Sequence, residues 1–343
     1  MNVELVINNH PTMDCFNNES FPYNIVSNYK SYEGWLYNNY IGVFISKNFK
    51  NEDLAIMNYL IRPFDIPGLE VNELSRNFFY SLKEDTIDFI KNKLTQGYYV
   101  FIHLNEFFLP NREYYKKNDF THDQLIVGYD DKLSSFKLLG YSNRGKQEVT
   151  MVEYDKFSYS FDYLKAYNNE QKKITFVKVN ECKYKFNVQY LIAQLENYIL
   201  SVNLSDRDLS YTIPDIFYTS NEIAFGIETY SVINKYYKNM HDNIDLRLPH
   251  KLLEHKKWLL EIVSFLIKEL IIIDSSSYKG SMNEIVSLAL LLKKLSIKYN
   301  IVTKNIVRKT TTDKIVEILD VMEKKERAIL KQLIVELKNK ESE

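Results

Sequence analysis

Seven of the nine glycines in this 343-residue chain lie at or before Gly145, whereas sustained three-and-four spacing of apolar residues begins only after residue 185. That change of texture constrains the fold most, because turns need glycine and strands a period of two, while amphipathic helices need a 3.6-residue stripe. In "YYVFIHLNEFFL", Val100, Ile102 and Leu104 share one face and Phe101, His103 and Asn105 the other, as in a strand. "HDQLIVGYDD" and "SSFKLLGYS" read as two more strands, joined by a hairpin turn at Asp130-Asp131-Lys132. "KEDTIDFIKNKLTQG" predicts a helix capped by Gly97, "EYDKFSYSFDYLKAY" a second helix and "ITFVKV" a further strand. Beyond them, "NVQYLIAQLENYILSVNL", "DIFYTSNEIAFGIETYSVINKYY", "LLEHKKWLLEIVSFLIKELI" and "MNEIVSLALLLKKLSIKYN" each predict a helix, and a last one starts at Thr312 or Asp313. The expected fold is α+β: a mixed domain over residues 1–183, then an all-helical bundle over 184–343, with the boundary in "NECKYKFN".

Composition narrows the function. A net charge of −1 gives no basic excess for nucleic acid. The longest apolar run, "WLLEIVSFLIKELIIID", carries Glu261, Lys268 and Glu269, so it reads as a buried helix and not as a membrane span. The expectation is a soluble, cytoplasmic protein. Two cysteines, Cys15 and Cys182, are too few for a disulfide framework.

Each thiol is therefore weighed as chemistry. A thiol nucleophile needs a base to take its proton and a third group to fix the imidazole, and the three meet in space rather than in sequence. Cys15 in "MDCFNNESF" precedes a polar turn that opens a helix, whose N-terminus favours a thiolate. Pro22 argues against an uninterrupted helix there. His122 heads a strand whose hairpin partner ends at "GYSNRGK", so register brings Ser142 or Asn143 beside the imidazole. The bland readings are a small buried cysteine, a strand-edge histidine and a turn-forming asparagine. Cys182, with no histidine close in sequence, reads as structural.

These residues carry a resemblance. "MDCFNNESFPYNIVSNYKSYEGWLYNNYIGVFIS" and "YYVFIHLNEFFLPNREYYKKNDFTHDQLIVGYDDKLSSFKLLGYSNRGK" resemble the N-terminal domain of the butirosin-biosynthesis H protein family, and "GIETY" and "IDLRLPHKLLEHK" resemble its helical part. The resemblance implies a papain-like cysteine-enzyme fold and acyl transfer from a carrier-protein thioester, through an acyl-cysteine, onto an amine. It also implies a Cys-His-Asp or Cys-His-Asn triad, here Cys15 and His122 with Asn143, or Ser142 failing that. The chain departs from the family pattern at Ser142, where an acid is usual. The implied partners are an acyl- or peptidyl-carrier protein with its phosphopantetheine arm and an amine acceptor, in natural-product assembly. No cofactor or metal is expected, because the thioester already stores the activation. Two alternatives remain open: a peptidase or thioesterase using the same triad with water, and a non-catalytic binding or self-resistance protein on the same fold.

Other residues have weaker claims. His250 and Glu254, four apart with Asp245, Arg247, His255 and Lys256 nearby, read as a salt-bridged helix start ahead of a lining for the substrate cleft; their spacing suits a metal pair, but the sequence shows no further cluster of ligands. His103 and Glu106 either face a cleft or satisfy each other or the backbone. Asn8 or Asn9 is available as an oxyanion donor, and "NREYYKK" as a loop that grips an acidic carrier.

Overall fold

The glycine-containing first half folds around an antiparallel sheet. In the computed structural model, which describes residues 1–8, 11–47, 57–61, 64–164, 173–180, 182, 184–203, 222–240, 243–273 and 275–341, that sheet belongs to a unit made of Met1–Tyr32 and Pro63–Lys183. Its elements in chain order are β1 (Asn2–Glu4), α1 (Asn17–Val26), then, after elements of the other unit, β4 (Leu69–Ser75), α3 (Arg76–Ser81), α4 (Thr86–Thr95), β5 (Tyr99–Asn105), β6 (Thr121–Asp130), β7 (Ser135–Tyr141), β8 (Gln147–Glu153), α5 (Tyr154–Tyr163) and β9 (Lys173–Val179). The strands run in the order β4-β9-β5-β6-β7-β8, with β1 pairing the far end of β6. A helix over "KEDTIDFIKNKLTQG" forms as expected, because the Asp85 carboxylate accepts from the Ile87 and Asp88 amides (2.9 and 3.0 Å) and Gly97 takes the left-handed φ of 88° that ends it.

Alternation divides the sheet's two faces. Val100, Ile102, Leu104, Ile126, Leu138, Ile174 and Phe176 pack on Ile90 and Leu94 of α4 and Phe157 and Phe161 of α5. Burying a side chain of this size stabilises by about 1.5–3 kcal/mol. The other face carries Phe101, which meets Phe21 of α1 edge-on with ring centroids 6.0 Å apart. Pro22 lies inside α1 without ending it; what it removes is one amide donor, the one that would reach the Asn18 carbonyl.

The second unit joins Glu33–Arg62 to Tyr184–Glu343. Residues 33–62, read with the first domain, fall in this second unit. Two contacts hold the described part of this stretch to the helices that follow residue 184. Asn38 and Asn187 exchange two hydrogen bonds, Asn38 Nδ2 to Asn187 O at 2.8 Å and Asn187 N to Asn38 Oδ1 at 2.9 Å. A Cβ at position 34 would lie 2.7 Å from the Phe186 nitrogen, so Gly34 permits the approach.

This unit contains α2 (Glu33–Asn39), β2 (Val43–Ser46), β3 (Met57–Tyr59), α6 (Val188–Ile199), β10 (Ile223–Phe225), α7 (Thr229–Lys238), α8 (Arg247–Lys268), α9 (Ser275–Ile301) and α10 (Asn305–Glu341). It is not all helix. β10, β2 and β3 form a three-stranded antiparallel sheet whose Phe44, Leu60, Ile223 and Phe225 make a small core. β10 falls inside the run read as one long helix; residues 215–221 of that run lie outside the described residues, as do residues 165–167 of the helix read through Tyr167. The last helix starts at Asn305, ahead of Thr312. The hydroxyls of Thr310, Thr311 and Thr312 donate to carbonyls four residues back (3.0, 2.7 and 3.2 Å), so these threonines are accommodated inside the helix instead of capping it. Among the described residues, no helix is long and apolar enough to cross a membrane.

Candidate functional site

Cys15 is buried immediately ahead of α1, whose N-cap is Phe16. Its segment is fixed on both sides at the end of the sheet where β6 begins. The Tyr141 hydroxyl, at the end of β7, donates to the Asp14 carbonyl. Asn17 Nδ2 donates to the Asp123 carbonyl at 3.1 Å. Gln147 of β8 reinforces the second anchor, donating to Asn17 Oδ1 (2.9 Å) and Ser20 Oγ (2.6 Å) while accepting from Asn24 (2.7 Å). Asp123 is next to His122 in the chain, but successive strand residues face opposite sides of the sheet, and α1 packs on the Phe101 and Asp123 face, not on that of His122.

His122 is the second residue of β6 and pairs across to Leu104, so its side chain leaves on the α4 and α5 face of the sheet. There its Nδ1 meets Glu106 Oε1 at 2.9 Å. The imidazole is about one-third exposed and the carboxylate almost fully buried. Phe120 and Tyr114 form an aromatic chain over the ring, with centroids 5.3 Å from Phe120 to His122 and 4.4 Å from Tyr114 to Phe120.

Glu106 owes its place to Asn105, which closes the loop from β5 to β6. Asn105 Oδ1 accepts from the Phe107 and Phe120 amides (3.0 and 3.2 Å), its Nδ2 donates to Asp119 (3.0 Å), and Glu106 N donates to the Phe120 carbonyl (2.8 Å). Ser160 Oγ, in turn, donates to the Asn105 carbonyl at 2.9 Å. Because a carboxylate oxygen accepts, His122 donates to Glu106 from Nδ1, which leaves Nε2 as the ring nitrogen open to a second partner.

This corrects the third member of the expected set. Ser142 is buried, but its hydroxyl accepts from Arg144 N (3.3 Å) and its amide donates to Lys146 O (2.8 Å). Asn143 is exposed in the same turn, its amide on the Asn111 carbonyl at 2.8 Å. Both serve the turn closed by Gly145, whose φ is 66°, and the group on Nδ1 of His122 is Glu106.

A second histidine–carboxylate pair uses the same two strands. His103 Nε2 lies 2.6 Å from Asp123 Oδ1, on the Phe101 and α1 face. His103 and Glu106 thus do not satisfy each other; each pairs with a residue of β6. The two pairs point to opposite faces, so the four groups do not converge as ligands on one ion.

The remaining candidates sit elsewhere. Cys182 is partly exposed near Gly68, where a Cβ would lie 2.8 Å from its own Cβ. Asn8 Nδ2 donates to Ser27 Oγ at 3.2 Å, and Asn9 lies outside the described residues. Glu254 is buried in an ion pair with Lys251, Arg247 pairs with Asp245 at 2.8 Å, and His250 Nδ1 meets Lys293 Nζ at 2.5 Å, in line with a salt-bridged helix start. Compared with known proteins, the chain matches no protein-family model and no curated protein.

Proposed function

We propose that the first unit is a papain-like cysteine acyltransferase, with Cys15 as nucleophile, His122 as base and Glu106 orienting His122. What supports the reading is the buried Glu106 carboxylate on Nδ1 of a partly exposed imidazole at the strand end where the Cys15 segment is anchored; because α1 packs on the opposite face of the sheet from that imidazole, the reading requires the Cys15 thiol to meet His122 around the strand end. In this scheme His122 Nε2 takes the Cys15 proton and the thiolate attacks the carbonyl of a carrier-bound thioester. The carbon–sulfur bond to the carrier breaks as the imidazolium returns the proton to the leaving thiol. An amine then attacks acyl-Cys15, His122 takes its proton, and the electron pair of the second carbon–sulfur bond returns to Sγ. Glu106 stabilises the imidazolium in both halves.

Amide formation and hydrolysis share the acyl-cysteine and differ in the acceptor. A site shaped for an amine supplies an effective concentration that water lacks. The test incubates the protein with an acyl-carrier thioester and candidate amines and quantifies amide against free acid by mass spectrometry. Amide as the dominant product is expected. Free acid as the sole product for every amine would transfer the assignment to a thioesterase or peptidase.

A further inference from the structure

Arg112 is a buried charge that the acyl-transfer reading leaves without a role. It is 1% exposed, and two successive turns, Leu109 N to Glu106 O (3.0 Å) and Arg112 N to Leu109 O (3.4 Å), carry the chain to it from Glu106. Its Nε donates to Gln124 Oε1 at 2.9 Å and its Nη2 to the Leu138 carbonyl at 3.1 Å. Its Nη1 and the Gln124 Nε2 are buried with no hydrogen-bond partner among the described residues. Gln124 lies two residues beyond His122 on the same face of β6. One strand face therefore presents His122, which holds the Glu106 carboxylate, and then Gln124, which holds the guanidinium. At about 3.3 Å of rise per residue, those two contacts are roughly 7 Å apart. Space for the second contact is provided opposite Gln124, where a Cβ on Gly140 would stand 2.5 Å from Gln124 Oε1 and 3.1 Å from Arg112 Nη2.

A buried charge is tolerated only where a charge of opposite sign or hydrogen bonds offset it. A contact ion pair with arginine would do that for Glu106, but it would occupy the carboxylate oxygens and cancel their field at the imidazole. An offset guanidinium does the first without the second. Burial also works against the charge on Arg112, and Glu106 and Glu148 are the carboxylates that favour it. We propose that Arg112 is a positioning residue for the Glu106–His122 pair: held off by Gln124, its guanidinium offsets the Glu106 charge without binding it, so the carboxylate oxygens remain available to the imidazolium. The role rests on the acyl-transfer reading above.

The test follows acylation of Cys15 by a carrier thioester across pH in the wild type, Arg112→Met, Arg112→Lys and Gly140→Ala. Arg112→Met should acylate about tenfold more slowly at neutral pH, as expected for losing a charge at this range, and its acidic limb should move to higher pH. Arg112→Lys, which keeps the charge, should recover most of the rate and the original profile. Gly140→Ala displaces the Gln124–Arg112 contact; it should slow acylation severalfold and move the acidic limb, and it carries the test if Arg112→Met does not fold. An unchanged pH profile in Arg112→Met, or in Gly140→Ala if only that variant folds, would make Arg112 a structural residue and overturn the proposal even if the rate fell. No acyl-Cys15 in the wild type would sink the acyl-transfer reading itself, and this role with it; a wild type that acylates beside variants with unchanged profiles sinks only the role.

Discussion

Replacing Glu106 by Gln keeps the shape of the side chain and removes its charge, which makes it the sharpest perturbation of the candidate site. The hydrogen bond at stake is 2.9 Å long, with the carboxylate end buried and the imidazole about one-third exposed. A hydrogen bond to a charged group contributes about 1.5–3 kcal/mol, and solvent on the imidazole side favours the lower part of that range. The imidazolium that forms when His122 takes the Cys15 proton loses this stabilisation, so alkylation of Cys15 at neutral pH should slow by about 10- to 30-fold. Because an amide can also donate, the Glu106→Gln side chain would in addition allow the tautomer with the proton on Nε2, the wrong one for a base. Iodoacetamide kinetics with peptide mapping measures the rate, and 15N NMR of the histidine ring measures the tautomer. Wild-type protein should carry the proton on Nδ1. A Glu106→Gln variant that folds, alkylates at the wild-type rate and keeps the wild-type tautomer would refute the orienting role.

In the wild type, Cys15 should alkylate faster than Cys182 although Cys182 is the more exposed thiol, since thiolate formation outweighs access; mapping after brief labelling decides, and preference for Cys182 counts against Cys15 as nucleophile. His255 is buried, with Nε2 on the Ile41 carbonyl (3.0 Å) and Nδ1 facing Lys256 Nζ (3.0 Å), and burial followed by the Lys256 charge holds its pKa well below the ordinary value. Its contribution to stability is fully present above the unfolded-state pKa of about 6.5 and is lost as pH falls below it, at up to about 1.4 kcal/mol per pH unit; urea midpoints against pH should show this slope in the wild type and not in His255→Gln, and equal slopes would refute it. Glu326 accepts from Tyr198 (2.6 Å), Tyr230 (2.5 Å) and Lys256 (2.8 Å) with all four side chains buried. Glu326→Gln should therefore destabilise by about 3–5 kcal/mol by leaving a buried ammonium unpaired, and denaturant unfolding with little change would show that the network tolerates its loss.

How much of this was legible in the sequence depended on the range of the interaction. Period and caps located α4, β5, β6 and α8, because the stripe, Asp85 and Gly97 are local signals. The hairpin rule aligned β6 with β7, since a four-residue loop links them. What it missed was Glu106. A fifteen-residue loop joins β5 to β6, and no rule of turn geometry sets the register across it; Asn105 does so by gripping both ends of the loop. The alternation in "YYVFIHLNEFFL" puts Glu106 and Leu104 in step, and that parity, carried across to His122, was the one sequence clue to the pair. Residues 33–62 were misassigned for a similar reason. The contacts of Asn38 with Asn187 and of Gly34 with Phe186 span about 150 positions, and β10, three residues long, hides in a run whose apolar spacing fits a helix.

The central claim is that Cys15 carries the acyl group, and intact-protein mass spectrometry with peptide mapping after mixing with an acyl-carrier thioester tests it most directly. The account predicts one acyl group on the peptide containing Cys15 in the wild type, and none on any peptide in Cys15→Ala. An acyl group on Cys182, or the same acylation in Cys15→Ala, would contradict it.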